Sequence, residues 1–274
     1  MAVLRSPYAN LNLFFHAVGY NPGTYYGGKG AFIEEKFRLN KGTVLNIVVG
    51  QRGGNSVEVK GRKSPTLTAA QLGLSIEDNA GTEGGGGRFV YITSNTLILA
   101  AGGGGGASGG YHGVDGQEGS NGTSRVGSGS SNVRNRGTGG QPGERNSAAA
   151  SYHGGMGAGW SGQGCRRQGS EHGERGRSLA RGWIGGRAGG MNSGNNGGPA
   201  PGAVGGFGGG EGGGSENNGA SGGGGGYSGG GSGTHNQQAG GGGGSYCSSE
   251  SFSGVSGGNP NDNRLLVKIV ELSS

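Results

Sequence analysis

Of the 274 residues in this chain 77 are glycine, and 65 of those lie between Gly84 and Gly258. Glycine offers no side chain to bury, and ordering its backbone costs at least the ~1–2 kcal/mol of any other residue. Apolar residues make up 29% of the chain and aromatic ones 7%, so an oily core is confined to a minority of the sequence. Such a composition defaults to disorder. Two features oppose that default. Charged residues are only 14% of the chain, and segments with strand patterning bracket the glycine tract on both sides.

Short stretches rich in β-branched and aromatic residues occur at Leu11 to Ala17, Ala31 to Leu39, Thr43 to Val49, Phe89 to Thr93, Thr96 to Ala100 and Arg264 to Glu271. Asn40-Lys41-Gly42 separates two of them and Ser94-Asn95 two others, which predicts two tight antiparallel hairpins. The expected fold class is all-β: a small antiparallel β-sandwich built from residues 1–100 and 259–274. Residues 101–258 are expected as an insertion, a large bundle of packed polyglycine II helices.

Pure or nearly pure glycine runs at Gly84 to Gly87, Gly102 to Gly106, Gly208 to Gly214, Gly222 to Gly226 and Gly240 to Gly244 suggest the bundle. No Gly-X-Y period is present, which excludes collagen. Extended left-handed glycine helices rise about 3.1 Å per residue and make no internal hydrogen bonds, so each N–H and C=O needs a neighbouring helix. Without a Cβ the backbones approach closely enough to supply it. Valine at Gly104 or Gly224, in mid-run, is therefore expected to damage folding far more than valine at Gly127, read as a loop. The aromatic residues interrupting the tract, Tyr111, Tyr152, Trp160, Trp183, Phe207, Tyr227 and Tyr246, are expected to cap the rim of the bundle.

The formal charge is +6, and it is unevenly placed. Ten arginines and no lysine fall between Arg125 and Arg187, against only Glu144, Glu171 and Glu174. Within that stretch Arg166, Arg167, Arg175, Arg177 and Arg181 are candidate contacts for a polyanion or mineral surface, or else a solvated face. Arginine-glycine tails that bind RNA carry dense repeats beside a folded RNA-binding module, and no such module is seen, so nucleic acid is not the expected partner.

Cys165 and Cys247 are the only cysteines and permit one disulfide in an oxidising compartment, or a free or metal-binding pair elsewhere. Asn121-Gly122-Thr123 is an N-glycosylation sequon in a polar turn. No cofactor, metal or catalytic constellation is expected. Gly23-x4-Gly28-Lys29 approaches a phosphate-binding loop, but Gly30 stands where a magnesium-ligating hydroxyl belongs and no helix pattern follows. Gly-x-Ser-x-Gly recurs around Ser108, Ser228 and Ser256 without the strand-to-helix turn that a nucleophile elbow needs. His16, His112, His153, His172 and His235 are scattered without ligand spacing. No apolar run approaches the roughly 18 residues of a membrane span, and Met1 to Tyr20 lacks the basic-then-apolar order of a signal peptide.

FRLNKGTVLNIVVGQRG (Phe37 to Gly53) and GGGGRFVYITSNTLILAAGGGGG (Gly84 to Gly106) resemble, in order and spacing, the glycine-rich extracellular module of the anaplastic lymphoma kinase and leukocyte tyrosine kinase receptors. GGFGGGEGGG (Gly205 to Gly214), GGGGGYSGG (Gly222 to Gly230) and GGGGGSY (Gly240 to Tyr246), followed by a closing strand, are similar to that module's last third. The resemblance implies a jelly-roll sandwich of the tumour-necrosis-factor type carrying hexagonally packed polyglycine helices. The expected function is that of a non-enzymatic, secreted structural or adhesive protein, self-associating or contacting another extracellular protein. The alternatives are a receptor-like module that captures a protein ligand, and a basic matrix protein bound to a mineral or polyanion.

Overall fold

The computed structural model describes residues 2–3, 8–14, 25–54, 58–59, 76–77, 82–108, 111–127, 134–145, 153–166, 173–187, 205–210, 220–233, 238–258 and 266–271. Almost all regular structure in them is strand. In chain order the strands are β1 (Ala2–Val3), β2 (Tyr8–Phe14), β3 (Phe32–Arg38), β4 (Val44–Val48), β5 (Glu58–Val59), β6 (Ile76–Glu77), β7 (Arg88–Ile92), β8 (Leu97–Ala101), β9 (Arg134–Asn135), β10 (Glu144–Arg145), β11 (Tyr246–Cys247), β12 (Ser253–Val255) and β13 (Leu266–Glu271). Two antiparallel sheets dominate: a five-stranded one ordered β1-β4-β7-β8-β11 and a four-stranded one ordered β12-β3-β2-β13.

Strand alternation explains how the sheets cohere. One face of the five-stranded sheet supplies Leu45, Val90, Leu99 and Ala101 to an apolar core that Ile33 and Phe37 of β3 and Val267 and Ile269 of β13 complete from the other sheet. The opposite face supplies Val48, Phe89, Leu97 and Ala100 to a second core. In β8 both Ile98 and Leu99 join the first core, because the β7/β8 register shifts between Val90 and Tyr91 and the extra residue turns to the same side.

The expected β7–β8 hairpin forms through Ser94 and Asn95, with Asn95 at φ 58° and its N–H donating to the Ile92 carbonyl at 2.9 Å. The expected β3–β4 hairpin does not. Asn40 to Gly42 makes a tight turn, closed by Thr43 N–H to the Asn40 carbonyl at 3.0 Å with Gly42 at φ 85°. The chain then crosses from the four-stranded to the five-stranded sheet. Both strands are apolar on one face, and Ile33 and Leu45 are fully buried in the same core. Facing each other across that core hides both faces from water, which edge-to-edge pairing of β3 with β4 would not do. The closing strand returns as expected, β13 pairing with β2 from Leu266↔Phe14 to Glu271↔Ala9.

Glycine segments fill the rest by backbone bonding between segments. Around Gly102 to Gly106, the N–H groups of Gly103, Gly105 and Gly106 donate to the carbonyls of Gly225, Val114 and Gly222 at 2.8, 2.9 and 2.8 Å. The carbonyls of Gly102, Gly103, Gly104, Gly105 and Gly106 accept from Ala31, Gly243, Gly85, Gly28 and Gly240 at 2.8–2.9 Å. Each N–H from Gly222 to Gly226 likewise finds a carbonyl on another segment. A Cβ on Gly104 would fall inside the Gly28 carbonyl, and one on Gly224 inside that of Gly103. Gly127, read as a tolerant loop, sits at φ 136°, where any side chain is strained.

Two boundaries differ from the sequence-based division. The strands β11 and β12 come from the range assigned to the insertion yet complete the edges of the two main sheets. Conversely, Gly28, Gln51 and Gly85 lie in the range assigned to the sheets but bond into the glycine array. The aromatics also differ from expectation. Trp160, Trp183, Phe207, Tyr227 and Tyr246 gather on the second core, against the outer face of the five-stranded sheet. Tyr152 lies outside the described residues.

Candidate functional site: an arginine-lined recess

Three backbone segments meet beside the second core. The stretch 173–177 pairs with 184–187: Glu174 N–H donates to the Arg187 carbonyl at 2.9 Å and Arg177 N–H to that of Ile184 at 3.0 Å. On its other side Gly164 N–H donates to the Gly176 carbonyl at 3.2 Å, which brings the chain ending at Arg166 alongside. Neither glycine has room for a side chain, because further segments pack against them: a Cβ on Gly164 would meet the Met156 carbonyl and one on Gly176 the Gly209 carbonyl.

The 3₁₀ turn Leu179–Arg181 between the paired stretches ends in Gly182 at φ 70° and Trp183 at φ 58°. A bulky residue in the left-handed region is uncommon. Here it is held by packing: Trp183 is 3% exposed and its ring stacks on Phe89 with centroids 4.0 Å apart and planes inclined by 17°. That stack anchors the turn, and the turn fixes the ladder that carries the arginines.

Arg166, Glu174, Arg175 and Arg177 line a recess of about 300 Å³. Glu174 is engaged by Arg187 in a two-pronged bond, Nε to Oε2 at 3.0 Å and Nη2 to Oε1 at 3.1 Å. Hydrogen bonding and then the charge of Glu174 hold the Arg187 guanidinium above its ordinary range. With that carboxylate compensated, the recess presents three guanidiniums, forks suited to two-pronged recognition of an oxyanion.

Of the five candidate arginines the structure therefore brings three together. Arg181 is exposed at the end of the 3₁₀ turn and does not line the recess. Arg167 lies outside the described residues. Neither Glu174 nor Arg187 was singled out by sequence, although the scarcity of acids in the basic stretch made Glu174 conspicuous.

Asn121 is exposed and, with Glu118, Arg136 and Ser256, lines a shallow polar groove of about 460 Å³. The sequon threonine is tied to the glycine array, Gly242 N–H donating to Thr123 Oγ1 at 2.7 Å. The disulfide that sequence permits is not formed: Cys165 and Cys247 are both free thiols, and burial pushes the Cys247 thiol up.

The remaining motifs take structural places. Gly28 N–H donates to Gly105 and Lys29 N–H to Asp115 Oδ1, at 2.8 and 2.6 Å, so that loop is bonded into the array. Ser228 and Ser256 hydroxyls accept from Gly140 and Glu118 N–H at 3.1 and 3.0 Å. His112 stacks on Tyr26 and its Nδ1 accepts the Tyr26 N–H at 3.0 Å, while buried His153 donates from Nδ1 to the Gly154 carbonyl at 2.6 Å. His16, His172 and His235 lie outside the described residues. Among the described residues no group of three His, Cys, Asp or Glu is placed to hold a metal ion, and no helix is long and apolar enough to cross a membrane.

Comparison of the chain with protein-family models and with curated proteins gave no match. The likeness to the receptor glycine-rich module rests on its motifs alone.

Proposed function

We propose that this chain is a non-enzymatic structural protein of the extracellular space, whose stiff glycine-built body mediates self-assembly or contact within a matrix. On this reading the two sheets form a jelly-roll sandwich, and the glycine runs are polyglycine II helices packed side by side. One observation carries the proposal: runs distant in sequence bond backbone N–H to C=O with one another and with neighbouring segments, at spacings that leave most run glycines no room for a Cβ. A body so made is held by a dense backbone network and is rigid before it meets a partner, which lowers the conformational cost of association. The motifs shared with the receptor module agree with this architecture.

The test is light scattering of the intact chain over a concentration series. Concentration-dependent assembly is the expected outcome. A monomer at every concentration and ionic strength would reject self-assembly and favour a module that captures a protein ligand.

A further inference from the structure

We infer that the recess lined by Arg166, Arg175 and Arg177 is a recognition site for one phosphate monoester carried by a protein partner. This goes beyond the structural reading and does not depend on it.

The charge of the recess selects the ligand. Glu174 is engaged by Arg187, and the other three described residues that line the recess are all arginines. A phosphate monoester carries about −1.5 to −2 charge at neutral pH and three acceptor oxygens. It matches such a wall better than a sulfate ester or a carboxylate, each with one charge. About 300 Å³ accommodates a phosphate and its ester stem, and a concave recess suits a protruding group rather than a flat mineral face.

The surroundings disfavour nucleic acid. Every described residue lining the recess is charged and none is aromatic. The nearby indole of Trp183 is buried in the second core, so it is not available to stack on a base. The adjoining surface fits a polypeptide: Ile184, backbone-paired with Arg177, is 52% exposed, and exposed Arg181 lies past it on the turn. A phosphoserine in an acidic segment would find its phosphate, an apolar contact and a further cation in one place.

Calorimetric titration of the intact chain with a phosphoserine peptide, its unphosphorylated and O-sulfonated forms, and inorganic phosphate tests the site. The phosphopeptide is expected to bind tightest, and its affinity to fall as pH drops below about 6, where the dianion gains a proton. The O-sulfonated peptide should be weaker and flat across that range. The triple variant R166Q/R175Q/R177Q should lose at least about tenfold in affinity, each charged hydrogen bond being worth that much. The charge-matched variant K36Q/K41Q/R136Q, at exposed residues that do not line the recess, should stay within about threefold, since exposed charges outside the site act weakly.

Unchanged protection of the glycine-run amides against hydrogen exchange in both variants verifies their fold, and R166Q alone, an exposed change, should already weaken binding. Equal binding of the unphosphorylated peptide, or an equal loss in the charge-matched variant, would overturn the site. Inorganic phosphate binding as tightly as the phosphopeptide would overturn the esterified partner. None of these results bears on light scattering without ligand, so the two readings fail separately.

Discussion

At the scale of single residues, the absence of an atom matters as much as its presence. A Cβ on Gly104 or Gly224 would coincide with a carbonyl of the next segment, whereas one on exposed Gly119 would meet nothing within 4 Å. Gly104→Val and Gly224→Val are therefore expected to cost about 3 kcal/mol or more in urea denaturation, and Gly119→Val a small fraction of that. Equal tolerance at all three sites would mean that the runs do not pack. Arg88 is the opposite case, a long cationic side chain that is fully buried, with burial pushing its guanidinium down to about 9. Above that pH the folded protein has released a proton that the unfolded arginine still holds, so stability from this group rises with pH and is diminished below it. Wild-type protein should gain on Arg88→Met by up to about 1.4 kcal/mol per pH unit above pH 9. Parallel pH profiles of the two proteins would count against a perturbed Arg88.

At the scale of elements, the last strand shows how the two parts depend on each other. β13 bonds to β2 and none of its described backbone bonds reaches a glycine run, yet Val267 and Ile269 pack on the core that β7 and β8 also line. Those two strands continue directly into the runs at Gly84 to Gly87 and Gly102 to Gly106. Removing Asn263 to Ser274 strips one side of the shared core, and protease sensitivity should then appear between residues 84 and 258. Undiminished resistance there would show that the array folds without the closing strand. The Asn40–Gly42 turn teaches a related lesson, because a short turn brings two strands close without deciding whether they pair or face each other. Burial decided it, since Ile33 and Leu45 could both be covered only across the core.

For the whole molecule, the edge strands β1, β11, β12 and β13 each lack a neighbouring strand on one side, and a row of backbone groups so placed is one that another copy can satisfy. The formal charge of +6, concentrated in the arginine-rich stretch, opposes that contact by repulsion. Added salt screens the repulsion at Debye lengths near 10 Å and below, so association should strengthen as ionic strength rises and on addition of a polyanion. Scattering that decreases with salt would indicate that ion pairs, rather than backbone groups, make the contact.

The positions of the main strands were legible in the sequence because β-branched and aromatic residues mark a pleated, half-buried surface. The glycine runs were legible too, as was the concentration of arginine. Partners were not legible. Consecutive glycines are identical, so nothing in Gly102 to Gly106 encodes that Gly103 bonds to Gly225 and Gly106 to Gly222; register comes from where the strands and turns hold the ends. Likewise β11 and β12, two and three residues long inside a serine- and glycine-rich stretch, carry too little pattern to announce themselves as sheet edges. Composition alone determined that this chain would be held by backbone rather than by a large oily core. Only the tertiary structure decided that Trp183 should stack on Phe89 and that Arg166, Arg175 and Arg177 should line one recess, because those meetings depend on the path of the glycine segments between them.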